Sequence, residues 1–316
     1  LHARAIANVE SELQSVVNAV EMFDNVMKSQ AVGYGRIFAS QFAGEFTRDD
    51  SKMVTVGDKQ VPTLSVAGKP LNLDFTLPDA FTRQTGGNAS VFVVSGDDYV
   101  RVTTSVKKEN GERAVGTILD HASPAYAAIR AGKAYVGLVK LFGKPFITDY
   151  EPIHDASGKV IGILYIGLDV EANINALRDR IKKMKVGDTG YYFVLDATKG
   201  KTYGNLIVHP VKEGKNILGS RDASGREFIK EMLETQHGLM TYPWQNAEAG
   251  ETAPRTKVAA YTLFKDWNWL IAGGTYEDEI TKEAARRRNR YIGIGLAALA
   301  IFATALHLVM TGTVTR

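Results

Sequence analysis

The 316-residue sequence contains no cysteine. This absence excludes disulfide bridges, thiol catalysis and thiolate metal sites, and it is compatible with either side of a bacterial inner membrane. Charge of one sign is also not in excess, because 38 Lys and Arg face 35 Asp and Glu, for a net charge of +3. Nucleic-acid-binding domains carry a clustered basic excess. Nucleic acid is therefore not an expected partner.

Sequence patterns for catalysis are also missing. There is no glycine-rich phosphate loop before a helix, no nucleophile elbow and no His-Glu pair at helical metal spacing, and the six histidines are scattered. The acidic stretches Asp97-Asp98 and Asp155 suit turns, in which Asp is common, better than they suit a calcium site. We expect neither an enzyme nor a bound cofactor or metal.

One long apolar run is present, from Tyr291 to Met310, without Asp, Glu, Lys or Arg. A helix of about 20 residues spans the ~30 Å hydrocarbon core of a bilayer, so the run predicts a transmembrane helix in preference to a buried core helix. His307 would then face a partner helix. The arginines of 286–290 precede the run, although positive charge normally marks the cytoplasmic side. The side of the membrane on which the preceding domain lies is therefore open at this point.

The first 48 residues are predicted to form a long helix. Its apolar residues recur at alternating spacings of three and four, at Ile6, Val9, Leu13, Val16, Val20, Phe23 and Met27. A stripe of this heptad period packs either on its own domain or on the same helix of a second copy. Both interpretations are kept.

Two series of strands follow, and they share one order. Ala89–Val94 and Tyr99–Val106 precede a short helix and three further strands, and the same succession restarts at Gly190. Strands of this kind, with helices before and between them, predict an antiparallel α+β fold. A duplication at a spacing of roughly a hundred residues indicates two copies of one domain type in tandem, since solenoid repeats are ~20–50 residues long.

The motifs of the two series resemble those of Cache sensor domains. In the second series they are Gly190–Leu195, Val208-His209-Pro210, Gly214-Lys215-Asn216, Tyr242-Pro243-Trp244, Lys257 and Trp267–Tyr276, which are similar to the second small Cache subtype. In the first series they are Asn110–Thr117, Gly143–Ile153 and Gly158–Gly167, which are similar to the third subtype. Together they resemble the fused, PAS-like Cache region of bacterial methyl-accepting chemotaxis receptors.

This resemblance implies a domain plan. A helix at 1–48 is followed by a membrane-distal Cache module at 49–169, a linker helix at 170–184, a membrane-proximal module at 185–276, a juxtamembrane helix at 277–290, the transmembrane helix at 291–310 and the start of a cytoplasmic linker at 311–316. It further implies a homodimeric sensor on the periplasmic side of a bacterial inner membrane, acting on downstream signalling proteins through a cytoplasmic region.

Candidate ligand residues in the first module lie on its strands. In the strand Tyr99–Val106, Arg101, Thr103 and Ser105 share one face, and the resemblance places the ligand pocket there. Later strands add Lys140, Lys144, Tyr150 and Tyr165, and an arginine among hydroxyls suits a carboxylate. The alternative is that these residues form the solvated face of a half-exposed sheet.

The analogous set in the second module is Tyr192, His209, Lys257 and Tyr261. Its three tryptophans, Trp244, Trp267 and Trp269, favour a filled structural module that relays motion over a binding one.

The function that the sequence favours is the ligand-sensing region of a chemoreceptor, binding a small polar metabolite, with an organic acid preferred. One alternative attaches the same sensor to a histidine kinase or diguanylate cyclase. Another is a membrane-anchored interaction module without a small-molecule ligand.

Overall fold

The computed structural model describes the backbone of residues 2–245 and 250–314; the side chains of residues 2–6, 283, 284, 287 and 305–314 are outside the description. The chain divides into two compact units. We call Val20–Leu177 the central unit, and Leu1–Ala19 with Arg178–Arg316 the terminal unit.

The first helix, α1, runs from His2 to Ala39 and contributes residues to both units. The predicted stripe is buried at Val9, Leu13, Val16 and Val20, so this side of α1 packs on the protein itself. Ile6 lies outside the described side chains. The predicted extension to residue 48 is wrong, because the chain leaves the helix after Ala39, where Gln41 and Phe42 donate to carbonyls three residues back and form a tighter turn.

Between α1 and residue 170, the central unit contains two sheets and two short helices. Its elements are β1 (Phe46–Val56), β2 (Lys59–Val66), β3 (Lys69–Pro70), α2 (Thr76–Thr85), β4 (Asn88–Ser95), β5 (Asp98–Thr104), α3 (Pro124–Arg130), β6 (Tyr135–Leu141), β7 (Lys144–His154) and β8 (Val160–Asp169). β1, β2 and β3 form a three-stranded antiparallel sheet, and the other five strands form a sheet of order β5-β4-β8-β7-β6. The region between α1 and β4 therefore contains three strands and the helix α2.

The helix α4 (Glu171–Lys183) leads into the terminal unit. The elements there are β9 (Lys185–Val186), β10 (Gly190–Asp196), β11 (Leu206–Val208), α5 (Phe228–Thr235), β12 (His237–Trp244), β13 (Arg255–Phe264), β14 (Trp269–Tyr276) and α6 (Glu277–Val314). The main path of its sheet is β11-β10-β14-β13-β12, and β9 pairs with β10.

The two larger sheets follow one topology. If the five strands of each series are numbered along the chain, both sheets have the order 2-1-5-4-3. All pairings are antiparallel. The predicted α+β fold with two repeated antiparallel modules is confirmed at this level.

A β-bulge changes the faces of β5. Phe92 of β4 pairs with Arg101, whereas its neighbour Val91 pairs with Thr103, so Val102 is an extra residue without an opposite partner. Directly paired residues share a face, and successive residues of β4 alternate faces. Arg101 therefore lies on the Phe92 face of the sheet and Thr103 on the opposite face. The prediction that Arg101, Thr103 and Ser105 share a face is wrong for this reason.

The last helix, α6, begins directly after β14. Among the described residues, no helix is long and apolar enough to cross a membrane. The predicted transmembrane span at Tyr291–Met310 is thus not supported; the part of it beyond residue 304, including His307, has its side chains outside the description.

Candidate functional site

Arg101 lies inside the central unit with two tyrosines. Its guanidinium carbon is 4.7 Å from the ring centre of Phe92 and 5.6 Å from that of Tyr165. The rings of Tyr165 and Tyr150 are 4.9 Å apart, because the two residues are directly paired across β7 and β8. Arg101 is 4% exposed, Tyr150 0% and Tyr165 1%. We call these three residues the arginine site.

Three polar atoms of the arginine site are buried and have no hydrogen-bond partner among the residues that the structure describes. They are Arg101 Nε, the Tyr150 hydroxyl and the Tyr165 hydroxyl. Arg101 Nη1 donates to Thr117 Oγ1 at 3.0 Å, and no carboxylate among the described residues pairs with this guanidinium. Leaving a buried polar group unsatisfied costs about 1–3 kcal/mol, and more for a charged group. A hydrogen-bond acceptor bound at these atoms would therefore stabilise the folded protein.

The protonation states at this site suit an anion. Burial lowers the pKa of the Arg101 guanidinium, but from so high a value that arginine stays charged in proteins. Burial raises the pKa of Tyr150 to about 12 and that of Tyr165 well above its ordinary value. At neutral pH both tyrosines are thus protonated, and their O–H groups, like the Arg101 guanidinium, are donors suited to a carboxylate.

A loop segment and a helix cover the arginine site. Val106, Ala114 and Leu119 from residues 106–119, and Ala125 and Ile129 from α3, belong to the same buried cluster as the two tyrosines. This segment lies beside β5 and forms backbone hydrogen bonds with it. Arg101 N donates to the Thr117 carbonyl, and Gly116 N donates to the Arg101 carbonyl. We call residues 106–119 the covering segment.

A bidentate ion pair attaches the covering segment to α2. Arg113 Nη1 and Nη2 each lie 2.7 Å from an oxygen of Asp79, and Nη1 also donates to the Thr104 carbonyl. Because the site is closed to solvent, a ligand would enter only if the covering segment or α3 moved.

The remaining predicted residues of this module are elsewhere. Thr103 Oγ1 donates to the Asp74 carbonyl at 2.7 Å, and the Ser105 hydroxyl accepts from Ala89 N at 2.9 Å, both on the face opposite Arg101. Lys140 is exposed and also lies on that opposite face. Lys144 is exposed and lies near the carboxylates of Asp169 and Glu171, at 3.8 and 3.6 Å.

The terminal unit buries a second cation among aromatic rings. Lys257 is 1% exposed, and its Nζ lies 3.5 Å from the ring centre of Tyr191 and 5.7 Å from that of Phe193. Burial lowers the pKa of Lys257 to about 7. The His209 ring lies 5.1 Å from Tyr191, and its Nδ1 accepts from the backbone N–H of Val211 and Lys212. Burial lowers the pKa of His209 to about 4, so it is neutral at pH 7.

The other two predicted residues of this unit lie apart from Lys257. Tyr192 faces away from the core that contains Tyr191 and Phe193, against Gly273. Tyr261 is a core residue whose hydroxyl lies 2.8 Å from Thr235 Oγ1. A cavity of about 30 Å³ lies beside Tyr191 and His209, enough for roughly two water molecules.

Sequence reasoning missed Phe92, Thr117 and Tyr191. Phe92 and Tyr191 lie in apolar strands that look like ordinary core, and Thr117 contacts Arg101 only through the fold of the covering segment. Tyr191 and Tyr192 are adjacent, and the pattern does not say which of them faces the core.

Within the part of the chain that the structure describes, no group of three or more His, Asp or Glu side chains could hold a metal ion.

Two curated chemotaxis receptors are similar to this chain. The methyl-accepting chemotaxis protein McpP of Pseudomonas putida is 31% identical over 103 residues, covering 30% of this chain and 19% of McpP. McpB of Bacillus subtilis is 31% identical over 144 residues, covering 46% of this chain and 18% of McpB. The chain spans less than a fifth of the length of either relative.

Solved sensor domains are also similar. The sensory domain of the Campylobacter jejuni chemoreceptor Tlp3 matches with a TM-score of 0.47 and 14% identity, over 88% of this chain and 96% of that one. A Cache chemosensory domain solved to explain carboxylic acid recognition matches with a TM-score of 0.30 and 24% identity, over 34% of this chain and 73% of that one.

A family model also matches the chain. The model of the Cache 3/Cache 2 fusion domain covers residues 3–290, which is most of the sequence and includes both repeated sheets. The two curated proteins described above, which are similar to this chain, are methyl-accepting chemotaxis receptors. The chain belongs to the Cache 3/Cache 2 fusion domain family.

Proposed function

We propose that the chain is the ligand-sensing region of a bacterial chemoreceptor and that the arginine site binds a small organic acid. One observation carries this proposal: Arg101 Nε and the hydroxyls of Tyr150 and Tyr165 are buried donors without acceptors in the described part of the chain. A ligand carboxylate meets that demand, and burial makes its hydrogen bonds to charged donors stronger than in water. No catalytic role is assigned to the site.

Binding would act through the covering segment. An entering carboxylate competes with Thr117 for the Arg101 guanidinium, and the segment must open and close around it. Ligand then shifts the balance between two arrangements of the central unit, and only a difference in affinity between them drives the shift. In this proposal α1 and α4, which contribute residues to both units, carry the change towards α6.

We further propose that the sensor works as a homodimer on the periplasmic side of a bacterial inner membrane. Met22 and Val26 lie one turn apart on the outside of α1, and Ile37 lies about three turns further along; they are 63%, 56% and 47% exposed, as expected of a helix that pairs with a second copy. Val26→Glu should lower the dimer fraction in sedimentation experiments, whereas Val211→Glu, at an equally exposed position, should not.

The location has a direct test, because the sequence lacks cysteine. Ala127→Cys at the exposed surface of α3 should react with a membrane-impermeant maleimide in intact cells that produce the protein. Reaction only after lysis would refute the periplasmic location.

The ligand test measures the melting temperature of the chain against a panel of carboxylic acids and amino acids. A ligand that binds only the folded state at 100 times its Kd stabilises it by about 2.7 kcal/mol. The shift should disappear in Arg101→Lys, which keeps the charge but loses the planar fork, and should persist in the exposed matched control Arg130→Lys.

Two outcomes would overturn the assignment. A shift that survives Arg101→Lys and disappears in Lys257→Met would place binding in the terminal unit. No shift with any compound would favour an interaction module without a small-molecule ligand.

A further inference from the structure

Asp149 is a buried carboxyl group beneath α1. It lies in the middle of β7, paired with Val136 of β6 and Ile166 of β8, and it faces the opposite side of the sheet from Tyr150 and the arginine site. The residue is 2% exposed.

A glycine of α1 makes room for this carboxyl group. A Cβ atom at Gly35 would overlap Asp149 Oδ2, so the helix backbone rests directly against the side chain. Ala31 and Phe38, one turn to either side along α1, are fully buried. The carboxyl group is therefore part of the packing between α1 and the five-stranded sheet.

The surroundings of Asp149 do not neutralise a negative charge. Its Oδ1 has no hydrogen-bond partner among the described residues, and the paired residues beside it on β6 and β8 are apolar. The charged groups that act on it are Glu151, two residues along β7, and Arg36 on the exposed side of α1. Burial is the largest influence on the pKa of Asp149, Glu151 also raises it and Arg36 lowers it, and the result is a pKa of about 7.

We propose that Asp149 is a proton-operated contact: its neutral form holds the Gly35 region of α1 against the sheet, and its ionised form releases it. The α1 helix would then respond to external pH as well as to ligand. This inference does not depend on the arginine site, which lies on the other face.

The direction follows from proton linkage. An opened segment would expose Asp149 to water and return its pKa to the ordinary value of 3.8, whereas the closed segment retains the proton up to about pH 7. Opening therefore becomes easier as pH rises from about 4 and levels off above about 7. Between pH 5 and pH 7.5 the opening equilibrium should increase on the order of a hundredfold, if Asp149 is fully solvated when open.

Hydrogen–deuterium exchange of the whole chain measures this equilibrium at residues 31–39, after correction for the intrinsic pH dependence of exchange. We expect protection of these amides to fall up to about pH 7 and then stay level. Asp149→Asn should remove the dependence, and Asp97→Asn, at an exposed aspartate, should leave it unchanged. The proposal would be overturned if protection in the unmodified chain did not change with pH. It would also be overturned if Asp149→Asn showed the same loss of protection with rising pH as the unmodified chain.

Two further variants test it without altering Asp149, in case Asp149→Asn does not fold. Glu151→Gln removes a like charge and should move the levelling point to lower pH. Arg36→Gln removes an opposite charge and should move it to higher pH. Shifts of the same sign, or no shifts, would show that Asp149 has only a packing role.

Discussion

Replacing Tyr165 by phenylalanine should stabilise the ligand-free protein and weaken ligand binding at the same time. The change removes a hydroxyl that is buried without a partner and keeps the ring, which packs beside Tyr150 and over Arg101. An unsatisfied buried hydroxyl costs about 1–3 kcal/mol, so the free energy of unfolding of the central unit should rise by about 1 kcal/mol.

The same hydroxyl should matter to a bound carboxylate. A hydrogen bond to a charged group contributes about 1.5–3 kcal/mol, and each 1.4 kcal/mol is tenfold in affinity. The Kd should therefore increase by about tenfold to a hundredfold. Because the pKa of Tyr165 is raised well above its ordinary value, this loss should be the same at pH 6 and pH 8.

Urea unfolding of the ligand-free chain and calorimetric titration with the ligand measure the two effects. Tyr126→Phe is the matched control, since the Tyr126 hydroxyl donates to the Asp97 carbonyl at 2.9 Å away from the arginine site. It should lose about 1 kcal/mol of stability and keep its affinity. If Tyr165→Phe behaves in the same way as this control, the reasoning about the unmet donors is refuted.

Three other predictions concern the fold. Thr103→Val should cost about 1 kcal/mol of stability, since Thr103 bonds the Asp74 carbonyl, and leave ligand affinity unchanged in titration; weaker binding would contradict the bulge assignment. Glu279 accepts from Asp188 N and Thr189 N, and its pKa is lowered to about 2, so its contribution is present above about pH 4.5 and lost as pH falls towards 2. Glu279→Gln should thus destabilise the terminal unit by about 2–3 kcal/mol at pH 7 and by progressively less as the pH falls. Equal destabilisation at pH 7 and at acidic pH would refute this role of Glu279. A Cβ at Gly190 would strike two backbone carbonyls, so Gly190→Ala should lower the melting temperature by several degrees, whereas Gly219→Ala, with open space around it, should not.

The repeated sheets were predictable because each strand is a short run of β-forming residues with turn residues at its ends. Ala89–Val94 and Gly190–Leu195 both fall within observed strands, β4 and β10. Of the seven candidate ligand residues predicted in the first module, the fold brings together three: Arg101, Tyr150 and Tyr165. Their role in binding stays a prediction.

The rest of the site depended on long-range geometry. A single extra residue, Val102, reverses the face of Thr103 and Ser105, and nothing in an unbroken run of β-formers indicates a bulge. Lys144 has a charge suitable for an anion, but its carboxylate neighbours come from the end of β8 and the start of α4. Buried donors without acceptors are visible only once every partner has a position.

The shared strand order has a consequence for the exchange of one module for another. In both modules the first and last strands lie side by side in the interior of the sheet, and the last strand passes into a helix almost at once, β8 into α4 and β14 into α6. The chain therefore enters and leaves the sheet of each module at neighbouring positions. The helix that follows each module is joined directly to its last strand. Exchanging the part of such a module between its first and last strands should therefore leave the start of the following helix in place.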